Sequence, residues 1–81
     1  MVRVILTPPF PAEFFGGQDE HEVSAGDVFA LVRALDAIAP GFALAADSRA
    51  AIAVNGVAIT AWDTPLDPGT EVLFVTRIAG G

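Results

Sequence analysis

The chain has 81 residues, 53% of them hydrophobic and 17% charged, with ten acidic side chains against four arginines and a formal net charge of -6. That length specifies one small domain with a modest core and no room for a separate catalytic domain, and the apolar fraction excludes a disordered segment. The acidic balance argues against nucleic acid as a partner and favours basic proteins, and no run of residues approaches a membrane span.

Val2 to Thr7 is β-branched and apolar apart from Arg3, which predicts a strand at the centre of a sheet. Pro8, Pro9 and Pro11 stop it, because proline cannot donate to a sheet ladder and biases its predecessor to extended geometry. The Pro8 to Gly17 stretch is expected as a loop whose Phe10, Phe14 and Phe15 either fold back on the core or form an exposed patch; packing is the reading adopted. Gln18 to Val23 suits a short strand returning antiparallel to the first. Ser24 then reads as a helix N-cap with Asp27 three residues later. Val28, Leu31, Val32, Leu35 and Ile38 recur at helical spacing and define a core-facing stripe, with Phe29, Arg33 and Asp36 on the other faces. Pro40 and Gly41 end this helix.

Residues 41–50 fit either a helical turn or an irregular crossover, with Phe42 and Leu44 plugging the helix end. Asn55-Gly56, between Ala51–Val54 and Val57–Trp62, is a hairpin signal, since both central residues of a type I′ turn need positive φ. Asp63, Thr64 and Pro65 break the second strand, Leu66 reaches back to the core, and residues 67–70 form a turn. Glu71 to Thr76 is the last strand, and both of its faces are apolar. One helix covers one sheet face, so Val72 and Phe74 are expected in the core and Leu73 and Val75 partly exposed, available to a protein partner.

Strand, strand, helix, hairpin and final strand make an α+β protein. The economical arrangement sets the first and last strands side by side and parallel in the middle. That is the β-grasp, or ubiquitin-like, fold, with a mixed four- to five-stranded sheet and one main helix on one face. Residues 1–81 form the domain in this reading, with 77–81 a flexible tail.

The sequence narrows the available chemistry. Without cysteine there is no thiolate nucleophile and no cysteine-type zinc site. Without lysine there is no side-chain amine for a Schiff base or an isopeptide bond to the chain itself. The single histidine, His21, reads as an exposed strand residue and not a metal ligand. The N-terminal segment lacks a signal peptide's apolar core, so a cytoplasmic location is expected. What stands out is the end, Ile78-Ala79-Gly80-Gly81, whose carboxylate has no side chain near it: it reads either as a tail able to thread a narrow channel or as a frayed end after the last strand.

The helix end Ala39-Pro40-Gly41, the Val54-Asn55-Gly56 turn, Asp63-Thr64-Pro65-Leu66, Gly69 followed by Glu71-Val72, and the terminal Ala79-Gly80-Gly81 occur in an order that resembles the MoaD/ThiS-type sulfur carriers. This family includes the small subunit of molybdopterin synthase and the thiamin-pathway carrier. The resemblance implies that Gly81 is adenylated by an E1-like enzyme that uses ATP, then converted with a sulfur donor protein to a thiocarboxylate. It implies that Gly80 and Gly81 enter the active site of the large subunit of molybdopterin synthase, or an equivalent acceptor enzyme, and that no cofactor is bound by the carrier. Leu73, Val75, Arg77, Ile78 and Ala79 are then the expected partner-binding residues. Alternative readings are a carrier for another sulfur metabolite, a ubiquitin-like protein modifier, and a non-covalent binding module. Two stretches depart from the family pattern: the Pro- and Phe-rich segment 8–17, and Thr76-Arg77 where prolines are common.

Overall fold

Two segments rich in β-branched residues, Val2–Leu6 (β1) and Glu71–Thr76 (β5), lie side by side and parallel in the computed structural model, which describes residues 1–77. Between them run α1 (Phe10–Phe14), β2 (Glu20–Val23), α2 (Val28–Ile38), α3 (Phe42–Arg49), β3 (Ala50–Val54) and β4 (Val57–Ile59). The strands form one sheet in the order β2-β1-β5-β3-β4, and every neighbouring pair except β1 and β5 is antiparallel. This is the α+β, β-grasp arrangement expected from the order of elements.

Register follows the side-chain period of two. Val4 lies opposite Val72, Leu6 opposite Phe74, and Phe74 opposite Ile52, so all five project to one face. The α2 stripe of Val28, Leu31, Val32 and Leu35 buries against them. Leu66 is buried as expected. Phe42 sits at the centre of an aromatic cluster, with ring centroids 6.0 Å from Phe10, 5.2 Å from Phe15 and 5.5 Å from Phe74, all at steep angles. Edge-to-face packing of this kind adds to the stabilisation from buried area. The Asn55-Gly56 turn is present, with φ of 48° and 81°.

Several expectations need correction. The N-cap of α2 is Asp27, whose carboxylate accepts from the Ala30 amide at 2.8 Å, and not Ser24. The reason is tertiary. The first two amides of α2, on Val28 and Phe29, donate to the carbonyls of Thr64 and Trp62, while Leu66 N donates to Gly26 O. Residues 24–26 are thereby drawn out against the segment after β4. Ile38 leaves the core stripe at 60% exposure, because Ala39 and Phe42 close the core beyond Leu35. Leu44 is 75% exposed and plugs nothing. Residues 42–49 form a helix, and Asp36 Oδ1 accepts from the Gly41 and Ala43 amides to tie it to α2. The Pro/Phe segment contains the short helix α1, with Pro11 in the first turn, where a missing N–H costs nothing. Phe10 and Phe15 are buried, which supports the packing reading. β4 stops at Ile59 instead of reaching Trp62.

Asp27→Ala is expected to lower unfolding stability by about 1 kcal/mol through loss of the cap, and Ser24→Ala by no more than about 0.5 kcal/mol. Equilibrium urea unfolding of the two variants checks this.

Candidate functional site

β5 delivers the chain to Arg77, the last described residue; Ile78, Ala79, Gly80 and Gly81 lie outside the described residues. What the structure defines is the root from which those residues leave. The Thr76 hydroxyl donates to the Pro8 carbonyl at 3.1 Å. Arg77 N donates to Arg49 O at 2.7 Å, one residue beyond the Ala50–Thr76 pair that ends the β3–β5 ladder. Arg77 Nη2 donates to the carbonyls of Asp47, at 3.0 Å, and Ala50, at 2.9 Å. Arg77 was expected as the first residue of a flexible tail and a partner contact; three hydrogen bonds tie it to the end of α3.

The two short helices meet beside this root. Arg49, the last residue of α3, makes two hydrogen bonds to the Glu13 carboxylate of α1, at 2.9 and 2.7 Å, and its guanidinium lies 5.5 Å from the Phe10 ring centroid. Fork-to-fork geometry fixes orientation as well as distance. The Arg49 hydrogen bond holds the Glu13 carboxyl below the ordinary carboxylate value, and the same bond raises Arg49. An open groove lined by Ala51, Ile52, Ile59, Trp62 and Arg77 runs alongside.

The sheet face away from the helices carries the second part of the site. Leu73 lies opposite Ile5 on one side and Ala53 on the other, and Val75 lies opposite Ala51. Leu73, Val75, Ile5 and Ala53 are half-buried, while Val72 and Phe74 are fully buried, as the alternation predicted. This apolar strip is bordered by charge on the β1–β2 side, where Arg3 pairs with Glu20 at 2.6 Å beside Glu22 and Glu71.

His21 is not the exposed residue expected. Its ring packs 4.7 Å from that of Phe15, it is half-buried, and its Nε2 has no hydrogen-bond partner. Among the described residues no group of three or more His, Cys, Asp or Glu is placed to hold a metal, and no helix is long and apolar enough to cross a membrane. The collar of α1 and α3 around the root escapes sequence reasoning, because nothing in the spacing of Glu13, Arg49 and Arg77 announces that they meet.

A central terminal strand, one face sealed by helices and the other apolar and open, defines a ubiquitin-like β-grasp protein. The chain belongs to the ThiS family of sulfur carriers, whose family model matches residues 10–81. Compared with curated proteins by sequence, the chain has no match. Among solved structures it is similar to CysO of Mycobacterium tuberculosis, with 19% identity, a TM-score of 0.84, and coverage of 96% of this chain and 100% of that one. It is also similar to a chain of the BexX/CysO complex of Amycolatopsis orientalis, with 16% identity, a TM-score of 0.79 and full coverage, 100%, of both chains. A chain of the complex of subunits 1 and 2 of the molybdopterin-converting factor of Helicobacter pylori is 24% identical, with a TM-score of 0.67 and coverage of 99% and 97%.

The lowered carboxyl of Glu13 sets a pH dependence. A carboxylate depressed in the folded state stabilises the fold above its ordinary value of 4.5, and that contribution is lost as pH falls through the lower folded value. The melting temperature of Glu13→Gln is therefore expected to lie below that of the parent at neutral pH, by a small margin for so exposed a pair. The two should converge under acid.

Proposed function

We propose that this chain is a sulfur carrier whose working group is the Gly81 carboxylate, and that it serves as the small subunit of a molybdopterin synthase. The observation that carries the reading is the family match, which runs through the terminal Gly80-Gly81. A carboxylate is a poor electrophile. An E1-like adenylating partner overcomes this by letting a Gly81 oxygen attack the α-phosphorus of ATP, so that pyrophosphate leaves and an acyl adenylate forms. The terminal sulfur of a donor protein's persulfide then attacks the acyl carbon and AMP departs, leaving an acyl disulfide, whose S–S bond a second thiol cleaves to release the thiocarboxylate while a disulfide forms on the donor side. The resulting thiocarboxylate is a nucleophile toward the acceptor's substrate.

The carrier contributes reach and shape. ATP is bound by the activating partner, and the carrier holds no cofactor of its own. The four residues after Arg77 span at most about 13 Å when extended. Gly80 and Gly81 allow close backbone approach in a channel that a Cβ would obstruct. Ile78 and Ala79 meet the channel mouth, and Leu73 and Val75 dock against the partner through the open apolar strip. The molybdopterin assignment draws on the likeness to the Helicobacter pylori complex. A second reading, a carrier for a different acceptor enzyme, draws on the higher TM-score of 0.84 with CysO.

With an activating enzyme, ATP–pyrophosphate exchange is expected from the parent chain and none after deletion of Gly81; exchange by the deleted chain would sink the carrier reading. Leu73→Asp or Val75→Asp should weaken partner binding at least about tenfold with the melting transition retained, because a charge would be desolvated in the apolar strip. Unfolding instead would mean that this face is structural. Thiocarboxylated chain mixed with a molybdopterin synthase large subunit should yield molybdopterin from its precursor. Failure there, with the thiocarboxylate intact, selects the second reading.

A further inference from the structure

We propose that Arg77 is a positioning residue of the carrier: by capping the carboxyl end of α3 it fixes the point and direction from which residues 78–81 leave the domain. The proposal rests on the sulfur-carrier reading. The last carbonyls of a helix have no intrahelical partner and carry the negative end of its dipole, so a cation beside them satisfies both needs. At the end of α3 the Asp47 and Ala50 carbonyls accept from Arg77 Nη2, and the Arg49 carbonyl accepts from Arg77 N. The cap comes from the other end of the fold in sequence, from the residue that begins the tail.

The opposite flank of the root is held as well. Thr76 Oγ1 donates to Pro8 O just before α1, and α1 is fastened to α3 by Glu13 and Arg49. Residues 76 and 77 are thus gripped by two elements that are themselves joined. The consequence for function is one of reach and order. Four residues follow Arg77, spanning at most about 13 Å. A root released at residue 77 adds another unconstrained residue, whose ordering opposes entry of Gly81 into a partner's active site.

The test separates a hold on the chain itself from contact with a partner. Both side-chain bonds leave one nitrogen, so the ammonium of Arg77→Lys can make them, whereas Arg77→Ala makes neither. Amide hydrogen exchange of the free chain at residue 77, and steady-state adenylation by the activating enzyme, are measured on all three proteins. In Arg77→Ala we expect faster exchange at residue 77 with Phe74 still protected, and KM for the carrier raised about tenfold at unchanged kcat. Arg77→Lys should restore both. Slower adenylation with exchange at residue 77 unaltered would make Arg77 a partner contact and overturn the proposal. Faster exchange with unaltered adenylation would overturn it too, as would a lysine variant that restores neither. Should Arg77→Ala unfold, Arg77→Gln, whose amide can still donate to one carbonyl, carries the same comparison with intermediate values expected. Absence of adenylation in the parent chain would defeat the carrier reading itself and this proposal with it, an outcome distinct from any defect confined to the variants.

Discussion

The parallel pairing of β1 with β5 is the constraint on which the rest of this structure depends. Parallel neighbours cannot be joined by a tight turn, so the chain between Leu6 and Glu71 has to cross from one end of the sheet to the other. It does so by laying α2 across one face and filling the flank beyond β5 with β3 and β4. The last strand therefore has hydrogen-bonded partners on both sides, β1 and β3. A segment that leaves from β5 is anchored in the middle of the sheet, where strands open least readily. For a protein whose proposed working group lies just beyond that strand, this is a rigid mount.

Around the mount the polar interactions are few and concentrated. Glu13 with Arg49, Arg77 with the end of α3, and Thr76 with Pro8 all lie within one corner, beneath which Phe10, Phe42 and Phe74 pack edge to face. The aromatic cluster sets where α1 and α3 sit, and the polar bonds use their ends to hold the chain at residues 76 and 77. Each exposed ion pair or hydrogen bond here contributes little to global stability. Their joint effect is geometric.

Much of this was legible in the sequence because it depends on local patterns. The alternation in Val72, Leu73, Phe74 and Val75 sorts the faces of β5, Asn55-Gly56 specifies its turn, and the α2 stripe through Leu35 follows the helical period. The failures have tertiary causes. Ser24 looks like a cap until Thr64 O and Trp62 O are seen to take the first amides of α2, which leaves Asp27 as the cap. Prolines that end β1 also begin α1, a double role that composition cannot separate. Phe42, Ala45 and Ala46 bury the inner side of α3 with small residues whose periodicity is too weak to read. The tail root was missed for the same kind of reason, since Pro8, Glu13, Asp47, Arg49 and Arg77 meet only once the sheet has formed. The family was legible from the order of short pieces ending in Gly80-Gly81, and the family match spans them.

The account makes the domain a mount and Gly81 the reacting group. Accurate mass of the C-terminal peptide, isolated from cells that also produce an activating enzyme and a sulfur donor, tests this most directly. The account predicts replacement of one oxygen by sulfur, located at Gly81. A peptide that keeps both oxygens, while a known carrier in the same cells acquires sulfur, would contradict it.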